Sequence, residues 1–296
     1  MNVARALLAR AHAIGAPTLA VVGTSKNAGK SVVVAALARE CERVGAAYGL
    51  ASIGRDGEAT DALDAAPKPR FFVRPGAFVA TAASLVPRTP ALEILRVTNE
   101  RSALGSIVLA RVRTPGFVEI AGPPRASALR RIVGELALHA PLVIIDGAVD
   151  RIAALRGGDD AIVVAVGAAG APTLARAVDD VAGLVARLRL PGACDATDAV
   201  RVAGALSARM AADHAHAYGR ARPLVVADPT HVAFGGRTLL ALLARIDLRC
   251  ERTLRPIACT VAPLAPQRAF EPRAFARAVA ERTGLPVYDV FAASVA

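Results

Sequence analysis

Short apolar runs rich in valine and isoleucine recur along this chain, and segments with helical spacing of apolar residues separate them. That alternation suits a parallel sheet, because each crossover between parallel strands needs a connection of helix length. The expected strands are "TLAVVGT" (18–24), "YGLASIGRD" (48–56), "LVIIDGA" (142–148), "AIVVAVGA" (161–168), "PLVVAD" (223–228), "RPIACTVAP" (255–263) and "PVYDVF" (286–291). Helices are expected over residues 30–45, closed by Gly45, and over "TLARAVDDVAGLVARLR", "GRTLLALLARIDL" and "PRAFARAVAERTG". The expected class is α/β, a mostly parallel sheet flanked by helices.

Residues of about 57–125 break the alternation. They are rich in proline and glycine, with short apolar pieces such as "RFFVRPGAFVATA", "SIVLARVRT" and "GFVEIAGPP". This predicts a β-rich insertion with a hairpin turned near "RTPG" (113–116). The insertion interrupts the α/β pattern and no linker stands out, so the expectation is one domain over 1–296.

The net charge of +11 raises the question of nucleic acid. The arginines are scattered, with no block of five or six and no interleaved aromatics, and this argues against it. No apolar run reaches the roughly 18–20 residues that span a membrane. The start of the chain has no export-type apolar core behind a basic segment. Four cysteines, Cys41, Cys194, Cys250 and Cys259, form no CxxC pair, which argues against a zinc site and fits reduced thiols. His214 and His216 lie two apart in an expected helix and so point to different faces. These features predict a cytoplasmic protein without membrane or nucleic-acid partners.

Of the 36 basic residues only Lys26, Lys30 and Lys68 are lysine, and asparagine occurs only at Asn2, Asn27 and Asn99. Two of those lysines and one asparagine fall within five residues of "VVGTSKNAGKS" (21–31). In a chain that uses arginine almost everywhere, such a concentration marks a requirement for an ammonium group.

The stretch lies between an expected strand and an expected helix and ends in Gly29-Lys30-Ser31, the arrangement of a phosphate-binding loop. Backbone N–H groups of residues 24–32 (Thr24, Ser25, Lys26, Asn27, Ala28, Gly29, Lys30, Ser31 and Val32) are expected to face phosphates. Lys30 would reach the β- and γ-phosphates, and the Ser31 hydroxyl would coordinate Mg²⁺. The standard pattern has a glycine five residues before Gly29; here Thr24 fills that slot and Gly23 precedes it. Lys26 is the candidate for stabilising charge during phosphoryl transfer, within the subunit or across a nucleotide-sandwiched homodimer. A second acid for the metal is expected at a strand end. Asp146, after four apolar residues, and Asp56, past the second strand, are the candidates, against the plainer role of turn aspartates. Asp150 is a weaker candidate for positioning water or capping a helix. The expected cofactors are ATP and Mg²⁺, with Lys26, Lys30 and Asp56 as catalytic groups and Ser31, Asp56 and Asp146 as metal contacts.

"GTSKNAGKS" resembles the loop variant of dethiobiotin synthetases and cobyrinic acid diamide synthases, within the wider P-loop NTPases. In those enzymes the metal is held by the loop hydroxyl, an acid after the second strand and an acid–Gly–Ala turn. Ser31, Asp56 and Asp146 stand at matching places. The "KNAGKS" core also resembles molybdopterin-guanine dinucleotide adaptor proteins.

A longer resemblance runs through "GTSKNAGKS", "GLASIGRDGEATD", "PKPRFFV", "GFVEIAGP", "LVIIDGAVDR" and "PVYDV", over about residues 18–291. In this order they resemble the lysine 5,6-aminomutase reactivase subunits, the KamB-like P-loop ATPases. Gly-Thr-Ser stands here where that family has Gly-Met-Ala. The resemblance implies a P-loop ATPase that, with a MutS-like partner ATPase, reactivates an adenosylcobalamin- and pyridoxal-phosphate-dependent aminomutase. Lys68, with Arg70, Arg55 and Glu58, would then form a polar surface beside the nucleotide, or else a solvated loop. Two other readings compete: a dethiobiotin synthetase-like ligase phosphorylating a small carboxylate, and a non-catalytic nucleotide-binding adaptor. No guanine-reading NKxD sequence is present, and which nucleotide is used stays open.

Overall fold

The structure is a computed structural model that describes residues 2–53, 70–88, 92–147, 160–194 and 198–291. The chain forms two compact units. One comprises Met1–Val22 and Lys30–Leu155; the other comprises Gly23–Gly29 and Arg156–Ala296. The fold is α/β, with a large, mostly parallel sheet flanked by helices.

The first unit contains α1 (Val3–Ala13), β1 (Thr18–Gly23, its last residue already in the second unit), α2 (Lys30–Arg43) and β2 (Tyr48–Ser52). Next come β3 (Phe71–Val73), β4 (Ala77–Ala82), β5 (Leu92–Ser102), β6 (Gly105–Val112), β7 (Gly116–Val118), α3 (Ala126–Leu136) and β8 (Val143–Asp146). Its main sheet has the order β1-β8-β2-β4-β6-β5. The pairs among β1, β8, β2 and β4 are parallel, whereas β6 and β5 add antiparallel strands at one edge. Every residue of β1 and β2 is buried, which is why these strands read as continuous apolar runs. The buried residues of α2 include Val33, Val34, Leu37, Ala38 and Cys41, one apolar stripe at helical spacing. It stops just before Gly45, whose φ of 70° few other residues adopt readily. α1 begins at Asn2, whose side chain accepts the N–H of Arg5 at 3.2 Å.

The hairpin expected near "RTPG" is not formed. The chain turns back between β5 and β6, where Ser102 pairs with Gly105 and Gly105 adopts φ 113°. The Ser102 hydroxyl accepts the Leu104 N–H at 3.1 Å inside that turn, a side-chain substitute for the usual hairpin residues. After "RTPG" the chain leaves β6 altogether, and β7 pairs with β3, setting Phe117 opposite Phe72.

The second unit contains β9 (Asp160–Gly167), α4 (Leu174–Leu188), β10 (Val200–Arg201), α5 (Ala208–Ala217), β11 (Leu224–Val226) and α6 (Gly236–Leu243). It continues with β12 (Leu248–Cys250), β13 (Arg255–Ala262), β14 (Leu264–Ala265), β15 (Arg268–Ala269), α7 (Pro272–Thr283) and β16 (Val287–Asp289). Within this unit β16, β13 and β9 are neighbours in that order, all parallel. β10, β11 and β12 form a separate parallel sheet. "PLVVAD" therefore belongs to a sheet of its own. The helix expected over 236–248 ends at Leu243, because Ile246 and Leu248 are claimed by the core of that small sheet. There Leu248 pairs with Leu224, and the Leu224 N–H bonds the Asp247 carbonyl at 2.8 Å. α5 carries His214 inward, its Nε2 2.8 Å from the Arg222 carbonyl, and His216 outward, as their spacing requires. Among the described residues no helix is long and apolar enough to cross a membrane.

Candidate functional site

Strand β1 runs into the segment Gly23–Gly29, and α2 opens directly on Lys30 and Ser31. Within the second unit this segment is laid down on the end of β9 and the residues just after it. The Thr24 N–H donates to the Ala165 carbonyl at 3.0 Å. A β-carbon at Gly167 would stand 2.9 Å from Ala28 Cα and 3.2 Å from the Asn27 carbonyl oxygen. One at Gly170 would stand 2.1 Å from Ser25 Oγ. Glycine at 167 thus lets two backbones lie against each other, and glycine at 170 leaves room for the Ser25 side chain. The requirement was visible in "AVGAAGAP" only as a break in an apolar run.

Asn27 at φ 58° and Gly29 at φ 90° lie in the left-handed region, on either side of buried Ala28. Left-handed residues set next to right-handed ones turn successive N–H groups toward one concave side, the geometry of a backbone nest for anions. The first turn of α2 follows at once, and the N–H groups of a helix's first turn have no partners within the helix. The amide donors of the helix start, on Lys30, Ser31 and Val32, therefore follow Asn27 and Gly29 directly in the chain. Asn27 is exposed, while Lys30, Ser31 and Val32 are half-buried. The Lys26 Nζ and Ser25 Oγ atoms are screened from water.

In the first unit Asp146 is the last residue of β8, in register with Val21 of β1 and Ser52 of β2. The Gly147 N–H donates to the Val21 carbonyl at 2.9 Å, and the Ile53 N–H donates to the Asp146 carbonyl at 3.3 Å. Three carboxyl strand ends thus meet at one edge, the edge from which β1 leaves toward α2. Residues 119–122 cross beside it. The Thr81 hydroxyl donates to the Glu119 carbonyl at 2.7 Å and accepts the Ala121 N–H at 3.1 Å. Gly122 lies so close to β2 that a β-carbon there would overlap the Ser52 carbonyl oxygen at 1.6 Å. The sequence contained this crossing only as "EIAGPP", with no periodicity to reveal it.

Asp56, Asp150, Lys68, Arg55 and Glu58 lie outside the described residues. Arg70 is described, its Nε 4.0 Å from Glu119 Oε2. Among the described residues no cluster of three or more His, Cys, Asp or Glu side chains is arranged to hold a metal ion.

No match was found. Protein-family models, curated proteins and solved structures were all compared with the chain.

Proposed function

We propose that this protein is a P-loop, Mg²⁺-dependent ATPase acting as the reactivase subunit for an adenosylcobalamin-dependent aminomutase, in company with a MutS-like ATPase. The observation that carries the nucleotide part is the pair of left-handed residues, Asn27 and Gly29, immediately before a helix that opens on Lys30-Ser31. Such a loop presents donors to an anion and costs backbone strain at Asn27, which a plain strand–helix turn has no need to accept. The residues present fit ATP and Mg²⁺: backbone N–H groups of residues 24–32 for the phosphates, Lys30 for their charge, and hard oxygen donors at Ser31 and Asp146 for the metal. Asp56 is the further metal contact in this reading, and Lys26 the group that stabilises developing charge. Bound ATP with Mg²⁺ supplies phosphoryl-transfer chemistry. The client enzyme and the MutS-like partner are supported by the ordered motifs from "GTSKNAGKS" to "PVYDV". A cytosolic setting agrees with four free cysteines.

The test has two stages. Calorimetric titration of the full chain with ATP and Mg²⁺ should show saturable binding that Lys30→Ala abolishes; equal binding by the variant overturns the loop assignment. Incubation with the MutS-like partner, ATP, Mg²⁺ and inactivated aminomutase should then restore turnover. Failure there, with ATP consumption stimulated by a small carboxylic acid, would assign ligase chemistry in its place.

A further inference from the structure

The second unit carries a charged cluster at the carboxyl edge of its separate parallel sheet. All three strands end there: β10 at Arg201, β11 just before Asp228, and β12 just before Glu251 and Arg252. Parallel open sheets take ligands outside their carboxyl ends, where loops from neighbouring strands meet.

Asp228 is the centre of the cluster. Its side chain is 9% exposed, yet it accepts four hydrogen bonds. The Thr230 N–H reaches Oδ1 at 3.0 Å, as does His231 Nδ1, and the Thr230 hydroxyl bonds the same oxygen. Arg252 Nη2 reaches Oδ2 at 2.8 Å. Capping the short turn at Pro229–His231 needs only the first of these bonds. The others fix two side chains that still reach solvent: His231, 33% exposed, and Arg252, 50% exposed. Because Nδ1 donates to Asp228, Nε2 is the ring atom that His231 offers to a ligand. It accepts from the hydroxyl of a singly protonated phosphate when the ring is neutral, and donates to a phosphate oxygen when the ring is protonated. Arg252 is held through one nitrogen of its fork, leaving a planar cation directed by a buried carboxylate.

The backbone beneath is pinned on every side. The Leu206 N–H donates to the His231 carbonyl at 2.7 Å, and the His231 N–H to the Asp228 carbonyl at 3.0 Å. The Arg252 N–H donates to the Ala227 carbonyl at 3.0 Å, and Arg187 Nη1 to the Val232 carbonyl at 3.1 Å. Side chains locked by packing and by a supporting shell of hydrogen bonds are what a binding site requires. At the rim Arg201 Nε lies 3.6 Å from Glu251 Oε1, adding a second guanidinium to the same edge.

We propose that this edge is a second ligand site, for the phosphate group of a small molecule, with Arg252 and His231 Nε2 as its direct contacts and Asp228 as the residue that positions both. The site is independent of the proposed ATPase activity and of the 23–29 loop.

Nuclear magnetic resonance titration of the labelled full chain tests it, at constant ionic strength, with inorganic phosphate, glycerol 1-phosphate and acetate in separate arms. Saturable shifts are expected in the His231 ring and the Thr230 and Arg252 amides; their absence overturns the proposal. The tighter of the two phosphate arms identifies free phosphate or a monoester as the source. Acetate, with fewer oxygens and less charge, is expected to bind at least about tenfold more weakly, and equal binding overturns the assignment to phosphate. Arg252→Gln should weaken phosphate binding about tenfold or more, the worth of one charge-assisted contact. If that variant fails to fold, Arg252→Lys keeps a cation beside Asp228 while losing the fork, and should show the same loss. Unchanged affinity in the folded variant overturns the proposal. Lys30→Ala should leave these shifts intact; their loss would place the phosphate at the loop and overturn the proposal.

Discussion

Val21 and Asp146 stand side by side in parallel register at the ends of β1 and β8, and the Val21 carbonyl accepts the N–H of the next residue, Gly147, at 2.9 Å. A β-carbon at 147 would stand 2.8 Å from that oxygen and 3.1 Å from Val22 Cγ1. Gly147→Ala must therefore push β8 away from β1. The expected cost is about 1–3 kcal/mol, read as a lower urea midpoint. If Asp146 holds Mg²⁺ as proposed, binding of ATP with Mg²⁺ should weaken beyond what the stability loss explains, because Asp146 moves with its neighbour.

The left-handed residues of the loop make a second test. Asn27→Gly should leave stability nearly unchanged, whereas Asn27→Val should cost about 1–2 kcal/mol, since a branched β-carbon is poorly tolerated at φ 58°. Gly29→Ala meets both an unfavourable φ of 90° and the Ala262 β-carbon 3.4 Å away. Nucleotide titration of each folded variant should rank affinity as wild type, then Asn27→Gly, then Gly29→Ala.

Asp228 makes stability depend on pH in a defined direction. Burial works to raise its pKa, but hydrogen bonds from Thr230, Arg252 and His231 prevail and hold the carboxyl below its usual range. A folded-state pKa below the unfolded one means that the unfolded chain binds the proton first on acidification. The stabilisation is complete above the unfolded value of about 4 and is lost as pH falls through the lower folded value. Urea midpoints measured between neutral and acid pH should fall more steeply for the wild type than for Asp228→Asn, which should already be weaker at neutral pH.

The thiols should divide cleanly. Burial pushes Cys41 and Cys250 up to about 11 and Cys259 up to about 12, whereas Cys194 is exposed. A thiolate-selective reagent at mildly alkaline pH should modify one cysteine quickly in the folded protein and all four in denaturant. A second fast thiol in the native chain would contradict the packing around α2, β12 or β13.

The expected strands at 18–24, 142–148, 161–168 and 255–263 appear as β1, β8, β9 and β13 because a parallel strand covered on both faces must be apolar throughout. The sequence showed "PLVVAD" with the same signature and could not say which sheet it would join. That depends on β10 and β12, strands of two and three residues, too short to carry a period. The expected helix over 236–248 overran for a related reason. "ARIDL" keeps helical spacing, but Ile246 and Leu248 are buried in the core of the small sheet. The β5–β6 turn was missed because "SALG" has no Asn-Gly pair, its geometry resting on Gly105 and the Ser102 side chain.

By itself the sequence determined the α/β class and the passage from β1 through Gly23–Gly29 into α2, since both are local: apolar period, helix start and the glycines between them are written in consecutive residues. Only the tertiary structure decided that Gly167 and Gly170 receive Ala28 and Ser25, that Gly122 crosses the end of β2, and that Asp228, His231 and Arg252 form one cluster. Apart from Asp228 and His231, three positions apart, those contacts join residues tens to more than a hundred positions apart. Their energies come from close approach and shared burial, which no single stretch of chain contains.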